Sequence, residues 1–503
     1  MYAALSTNVV TLGMVELANA SVVPEGQMLT AVLISGLWVS FLVITYAGLI
    51  VTIPRAGGDY VWQSRLLGPG LGFVVSATGL WFILWLWAPI YGSILSEELF
   101  QPLSADLGHA GAARWFASGD GRFLASAVAV AMAGLVVSLG MEGYARVQVW
   151  CFGGGLAGFL AFLALLAAFG RKDFAASVDH YGAALFHLDA AYGGVVARAR
   201  SSPHFGLLPL GASMRLVPMM MFYLLWPNTG SSLYGEVRDA DELWRVLKGM
   251  LSGLWTTVAL SVAFLLLAEK TFGWSFYLGA NAGWARGDSP FGVFPYPAML
   301  AGWLVRSQAF QVALLLVMSL WFFGWVGTLF LPSTRLIFAT ALDGVLPGAV
   351  AKVSARRRVP VLALVLMLVP ALLVSALYSY WPEFGHFTLD AVLVIAVTYL
   401  FSTVSALVLP WRRRDLWQAS PASRFRLAKV PVVPAAALAT TGLLVFDLYE
   451  WLSDGIYGVN GRASLIFMGL LYLLAAAVYS TSRRVRRRRG ADPVAVFRSI
   501  PES

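Results

Sequence analysis

A chain of 503 residues that is 59% hydrophobic and only 12% charged, with a mean hydropathy of +0.74, carries about half the charge fraction of an ordinary soluble chain. That excludes a soluble enzyme and makes the count of membrane spans the organising question. The net charge of +9 does not point to nucleic acid, because the basic residues sit in short connections between apolar runs and in the tail, where topology control places them.

The N-terminus lacks the basic region of a cleavable signal, so none is expected. Apolar stretches near the roughly 20 residues that a bilayer requires recur twelve times. The first, about 2–23, is the most polar, with Thr7, Asn8, Thr11 and Glu16 inside it. The others cover about 29–53, 71–95, 122–140, 147–169, 207–234, 249–269, 309–334, 359–380, 388–410, 431–452 and 463–482. Only one residue precedes the first stretch, so almost no N-terminal tail is expected. The single cysteine, Cys151, lies in an apolar run and reads as a small packed residue. Gly153 to Gly155 would let the fifth span bend or pack closely. With the N-terminus inside, 24 of the 35 Lys and Arg fall on the cytoplasmic side, among them Arg356 to Arg358, Arg412 to Arg414 and the run ending at Arg489. The reverse orientation would put those runs outside, against the positive-inside rule. A multi-pass protein of the cytoplasmic membrane with both termini inside follows. The longest outer connection, about 170–206, holds His180, His187 and His204, whose spacing matches no metal motif, so no metal is expected. The tail from Arg483 is basic and suited to anionic lipid.

The sixth stretch breaks in its middle. Trp226-Pro227-Asn228-Thr229-Gly230-Ser231-Ser232 puts a proline, a glycine and four polar side chains inside a hydrophobic span. Backbone freed in this way persists only where it is buried in protein or lines a cavity. The break therefore reads as half of a solute site, with Phe222, Trp226, Asn228, Thr229 and Gly230 as candidate binding residues and Met219 to Met221 above them.

Three further strings carry a family resemblance. The second span ends in Pro54-Arg55-Ala56-Gly57-Gly58-Asp59-Tyr60-Val61-Trp62, followed by Ser64-Arg65-Leu66-Leu67-Gly68-Pro69. The sixth exits through Gly235-Glu236-Val237-Arg238. The eighth ends in Arg335-Leu336-Ile337-Phe338-Ala339-Thr340-Ala341-Leu342-Asp343-Gly344-Val345-Leu346-Pro347, with the basic Ser354-Ala355-Arg356-Arg357-Arg358-Val359-Pro360 beyond it. Together they resemble the amino acid–polyamine–organocation transporter superfamily over spans one to ten; spans eleven and twelve fit by count alone. The resemblance implies an all-α polytopic, leucine-transporter-like fold. Residues 1–170 would form a first repeat of five spans and 207–410 an inverted second repeat, separated by the extracytoplasmic loop 171–206. Two extra spans lie in 411–482, giving twelve in total, and 483–503 is a cytoplasmic basic tail. It implies a permease, a secondary transporter of amino acids working by alternating access. Inverted repeats place their solute sites at discontinuous helices, which agrees with the break in span 6.

The matching break in span 1 falls at Thr11-Leu12-Gly13. Amino acid transporters of the family usually carry a G-x-G run there, whose amides hold the substrate carboxylate. One glycine, Gly13, departs from that pattern and argues against capture by a glycine nest; Asn8, Thr11 and the amides near Gly13 remain as candidates. Glu16 is an intramembrane carboxylate. Arg215 either snorkels outward or pairs with a carboxylate such as Glu16. No cofactor is expected beyond a coupling ion, Na+ or H+. The fifth span lacks the lysine that replaces sodium in proton-coupled members, and Thr328 is the most central hydroxyl of span 8. Glu16 and Thr328 are the candidate ion-coupling residues; sodium, proton and exchange all stay open. Carboxylates that would hold a cation are limited to Glu16, Asp390, Glu97 and Glu98, which favours neutral amino acids. The alternatives are a polyamine or organic-cation transporter of the same fold and a non-transporting membrane solute sensor. No nucleophile and base set is apparent, so catalysis is not expected. The expected partners are the substrate and the bilayer; the oligomeric state is open.

Overall fold

The computed structural model describes residues 13–23, 25–199, 205–227, 229–237, 239–328, 330–381, 384, 387–490, 492 and 494–500. Asn8, Thr11 and Asn228 lie outside them. Among the described residues, ten helices are long and apolar enough to cross a membrane. In chain order the helices used below are α1 (Met28–Thr52), the short α2 (Gly58–Leu66), α3 (Pro69–Asp106), α4 (Gly119–Ser138), α5 (Gly140–Ala168), α6 (Arg171–Phe186), α7 (Ala191–Arg198), α8 (Val217–Leu224), α9 (Leu243–Thr271), α10 (Trp274–Arg286), α11 (Gln308–Leu342), α12 (Val361–Tyr380), α13 (Thr388–Arg412), α14 (Val432–Ser453) and α15 (Arg462–Arg488). A two-residue β-hairpin, Arg426–Leu427 with Val430–Pro431 and Arg426 opposite Pro431, joins α13 to α14.

The expected first and sixth spans are not single helices. The first is described from Gly13: a turn of α-helix over Met14–Glu16 and a 3-10 stretch over Leu17–Val22. In the sixth, α8 closes with the Leu225 N–H on the Met221 carbonyl. Pro227 has no N–H to give and cannot continue the ladder. The chain resumes as a 3-10 helix, Thr229–Glu236, beginning with the Thr229 N–H on the Trp226 carbonyl.

Two other departures have plain causes. α3 runs to Asp106, beyond the expected end at 95, because its polar residues find partners inside the protein. Trp284 donates to Glu97, Gln101 to Ser96 and Trp303 to Asp106. Its course is interrupted by wide turns at Thr78–Phe82 and Ser96–Phe100 and a tight one at Ile83–Leu86. The expected loop 171–206 is largely helical in its described part: α6 and α7 fold over α10, with Tyr192 stacked on Phe276 at 4.9 Å. A search for long apolar runs passes over such half-polar helices.

α1, α3, α11 and α13 form the inner layer, whereas α12 and α15 present most of their surface outward. The glycines of α5 serve close packing. A Cβ at Gly154 would meet Leu320 at 2.5 Å and one at Gly155 would meet Trp321 at 2.8 Å, while Gly153 faces open space. Small residues at these contacts let two membrane helices approach.

Candidate functional site

The three strings that carry the resemblance, far apart in sequence, meet at the basic face of the bundle. α2 starts from Gly57 and Gly58, both at positive φ (+93° and +37°), where a side chain would be strained. It turns Asp59, Tyr60 and Arg65 inward. Arg65 forms a bidentate pair with Asp343 at 2.6 and 2.7 Å, and Tyr60 donates to Asp343 Oδ2 at 2.7 Å. The pair is buried, with side chains 1% and 3% exposed. Arg335 forms a second bidentate pair with Glu236. The C-terminal segment covers the first pair: Arg486 donates to the Asp343 carbonyl at 2.7 Å, and the ring of Phe497 lies 5.0 Å from the Arg65 guanidinium, a cation–π distance.

Inside these pairs, two stretches of backbone touch directly. The Gly57 N–H donates to the Ser232 carbonyl. A Cβ at Gly58 would come within 3.0 Å of the Ser231 and Ser232 backbone, and one at Gly235 within 2.6 Å of the Ala56 nitrogen. Glycine is required on both sides of this contact because nothing larger fits.

The contact separates two spaces. On the basic side is a vestibule of about 1120 Å³, lined by Arg55, Gly235, Glu236, Arg335 and Arg356 to Arg358. On the other side is a small cavity of about 20 Å³, room for about one water. Its wall includes Asp59, Leu80, Leu84, Trp226, Thr229, Ser231, Ser333, Ile395 and Tyr399. Asp59 is buried and accepts hydrogen bonds from Tyr46, from Ser402 at 2.6 Å and from Ser231 at 3.1 Å. Burial pushes its carboxyl above the ordinary value, and the hydroxyls around it oppose that shift.

Above the cavity sits an aromatic cluster from α3, the broken sixth segment and α11. Trp87 stacks on Phe222 (5.6 Å) and stands edge-on to Trp226 (5.1 Å) and Trp325 (5.9 Å). Tyr91 packs edge-on against Trp325 at 5.0 Å. All of these rings are buried.

Of the residues singled out in the sequence, Trp226 and Thr229 line the cavity, and Thr229 donates to the Trp226 carbonyl at 2.8 Å. Gly230 is buried beside them and Gly13 is buried in the first segment. Phe222 lies one turn away in the aromatic cluster. Thr328 accepts a hydrogen bond from Tyr144 of α5 at 3.2 Å. Glu16 accepts one from Asn19 at 2.8 Å. Arg215 does not reach Glu16: it pairs with Asp454 at 2.6 Å, on the loop after α14, because it sits at the mouth of the span with its side chain 45% exposed.

The sequence reading missed Asp59, Tyr399, Tyr46 and Ser402; Ser231 lies in the break it identified, though not among its candidate binding residues, and Ser333 is a hydroxyl of the eighth span beside the favoured Thr328. Asp59 stands in plain view in the first string, but nothing in its neighbourhood of sequence shows that it is buried against Tyr46, Ser402 and Ser231. Tyr46 and Ser402 sit among several other hydroxyl side chains of apolar helices, Thr45 beside the first and Thr403 beside the second, so nothing local singles them out.

The geometry of a broken helix over a small cavity, closed by paired charges, defines a membrane transporter. A family model described as amino acid permease matches residues 2–449, so the chain belongs to the amino acid permease family, and it is a transporter and not an enzyme. Over 466 residues it is 23% identical to the branched-chain amino acid permease BcaP of Lactococcus lactis subsp. cremoris (strain MG1363), covering 91% of this chain and 87% of that relative.

Proposed function

We propose that the chain carries neutral amino acids with apolar side chains across the cytoplasmic membrane by alternating access. In this reading it has twelve spans, two inverted repeats of five followed by two more, with both termini inside. The observation that carries the reading is the composition of the small cavity. Leu80, Leu84, Ile395 and Trp226 offer an apolar wall, and Thr229, Ser231 and Ser333 offer hydroxyls. The one carboxylate among its described lining residues, Asp59, already accepts three hydrogen bonds. That leaves a cationic side chain poorly served. The relative's name, a branched-chain amino acid permease, points the same way. The broken segments supply backbone groups for the substrate carboxylate and ammonium, with Asn8, Thr11, Gly13, Asn228, Thr229 and Gly230 as the residues assigned to them. Glu16 and Thr328 remain candidates for an ion-coupling role.

Counterflow of radiolabelled L-leucine in proteoliposomes tests this. L-valine and L-isoleucine should compete, and L-arginine and spermidine should not. Competition by spermidine or L-arginine alone would replace the reading with an organic-cation transporter, and ligand binding without counterflow would replace it with a sensor.

A further inference from the structure

The contact of Gly57 and Gly58 with Ser231 and Ser232, flanked by the two ion pairs, is the gate between the cavity and the vestibule; Asp59 lies beside it but outside the ion pairs. Three hydroxyls from three separate elements converge on it. Tyr46 of α1 and Ser402 of α13 donate to Oδ1, and Ser231 of the broken sixth segment donates to Oδ2. α1 and α13 pack on each other in the inner layer. Ser231 belongs to the stretch that must part from Gly57 and Gly58 before the cavity can open to the vestibule. At 3.1 Å against 2.6 Å for Ser402, the bond that crosses the gate is the longer of the two. The same carboxylate lines the small cavity beside Trp226 and Thr229.

The charges nearby are matched to one another. Arg65 pairs with Asp343 and Arg335 with Glu236, while Tyr60 donates to Asp343. Arg498, on the C-terminal turn that packs against α2, is exposed and lies 3.9 Å from Asp492. That leaves Tyr46 and Tyr399, in edge contact at 5.7 Å, as the other titratable groups beside Asp59. No cation is bonded to it among the described residues.

We propose that Asp59 is the proton-binding latch of this gate: as a carboxylate it ties Ser231 to α1 and α13, and on taking up a proton from the cavity it releases the broken segment. This rests on the transport reading above. The chemistry follows from hydrogen-bond inventory. A carboxylate only accepts, so all three hydroxyls can donate to it. A proton added to Oδ2 makes that oxygen a donor. It then meets the Ser231 O–H head-on, and the serine hydroxyl must turn away or reverse. The negative charge is lost in the same step, and charge-assisted hydrogen bonds are about twice as strong as neutral ones. Burial favours the protonated form, so the latch holds its proton more readily than an exposed aspartate would. The proton comes from water in the cavity and leaves to water in the vestibule; no other reactant is needed.

Cysteine accessibility behind the gate tests this without requiring transport. In detergent-solubilised protein with a Cys151→Ser background, Ser232→Cys is alkylated with a water-soluble maleimide at pH 5.5 and 7.5, normalised to the labelling of the exposed Asp173→Cys. With Asp59 intact, normalised labelling should be severalfold faster at pH 5.5. Asp59→Asn, which is neutral at both values, should label fast at both. Ser231→Ala, which keeps the carboxylate but removes the gate-crossing donor, should do the same and covers the case in which Asp59→Asn fails to fold. Equal normalised rates at the two pH values with Asp59 intact would overturn the proposal, as would pH dependence that survives in either variant. L-leucine counterflow run in parallel separates the two readings: its absence from the unsubstituted protein sinks leucine transport, whereas the labelling result alone decides the role of Asp59.

Discussion

At the scale of single residues, the buried Arg65–Asp343 pair does most to hold the basic face together. Removing one partner of a buried pair leaves the other charge stranded. Asp343→Asn should therefore lower stability by about 3–5 kcal/mol, whereas Tyr60→Phe, which deletes one hydrogen bond and keeps the pair, should cost about 1 kcal/mol. Thermal unfolding of the detergent-purified protein ranks the two, and equal losses would show that the pair is not the anchor. Asp59 predicts a pH dependence of a definite sign. Because burial raises its folded-state pKa above the usual 3.8, the folded chain keeps this proton at pH values where the unfolded chain has lost it. Stability from this group is then greatest in acid and declines as pH rises from 3.8 through the raised value. Asp59→Asn should flatten that part of a plot of Tm against pH. Every residue of these networks is visible in the sequence, but their partners are not. Arg65 and Asp343 are 278 positions apart, and no local spacing rule connects them.

At the scale of elements, the broken sixth segment was legible and its surroundings were not. Pro370 sits inside α12 without breaking it, so a proline alone does not locate a break. Pro227 followed by Asn228, Thr229, Gly230, Ser231 and Ser232 does, because that many polar groups and a glycine in one apolar run need partners inside the protein. The glycines that receive it carry meaning only once Gly57, Gly58 and Gly235 lie against another backbone. Gly235→Ala adds a Cβ that would sit 2.6 Å from the Ala56 nitrogen, so the two stretches cannot close fully. We expect leucine uptake to fall by roughly tenfold, equivalent to about 1.4 kcal/mol on the barrier, with a smaller change in ligand-induced thermal shift. An uptake rate unchanged from the parent would mean that this contact does not gate. The aromatic cluster belongs to the same scale. Trp87 touches Phe222, Trp226 and Trp325, so Trp87→Ala should cost about 3–5 kcal/mol, measured by the same unfolding assay. Three tryptophans spaced along α3 in the sequence gave no sign of which one was central. The long α3 was equally hidden, because Ser96, Glu97, Glu98 and Asp106 look like a span's end until their buried partners are known.

At the scale of the whole molecule, charge distribution is the most readable feature. By the positive-inside rule the basic runs at Arg356 to Arg358, Arg412 to Arg414 and Arg483 to Arg489 predict that their face is cytoplasmic. In right-side-out vesicles a membrane-impermeant maleimide should label Asp173→Cys and leave Arg487→Cys untouched; the reverse pattern would invert the assignment. The apolar runs marked ten crossing helices to within a few residues at most ends, since hydropathy and length suffice for helices surrounded by lipid. They passed over α2, α6, α7 and α10, which lie outside the apolar stretches and owe their place to tertiary contacts. The site is the least legible part for the same reason: it is assembled from α1, α2, α3, α11, α13 and the broken segment, each contributing only a few side chains.

The small cavity has one more consequence. A space of about 20 Å³ cannot hold an amino acid, so each turnover must enlarge it by the volume of several waters and then return it to its present size. The cycle therefore does work against the activity of water. A solute too large to enter the vestibule should shift the protein toward its closed form and slow counterflow in proportion to osmotic pressure, whatever its chemistry, because excluded solutes favour the state that exposes less hydrated surface.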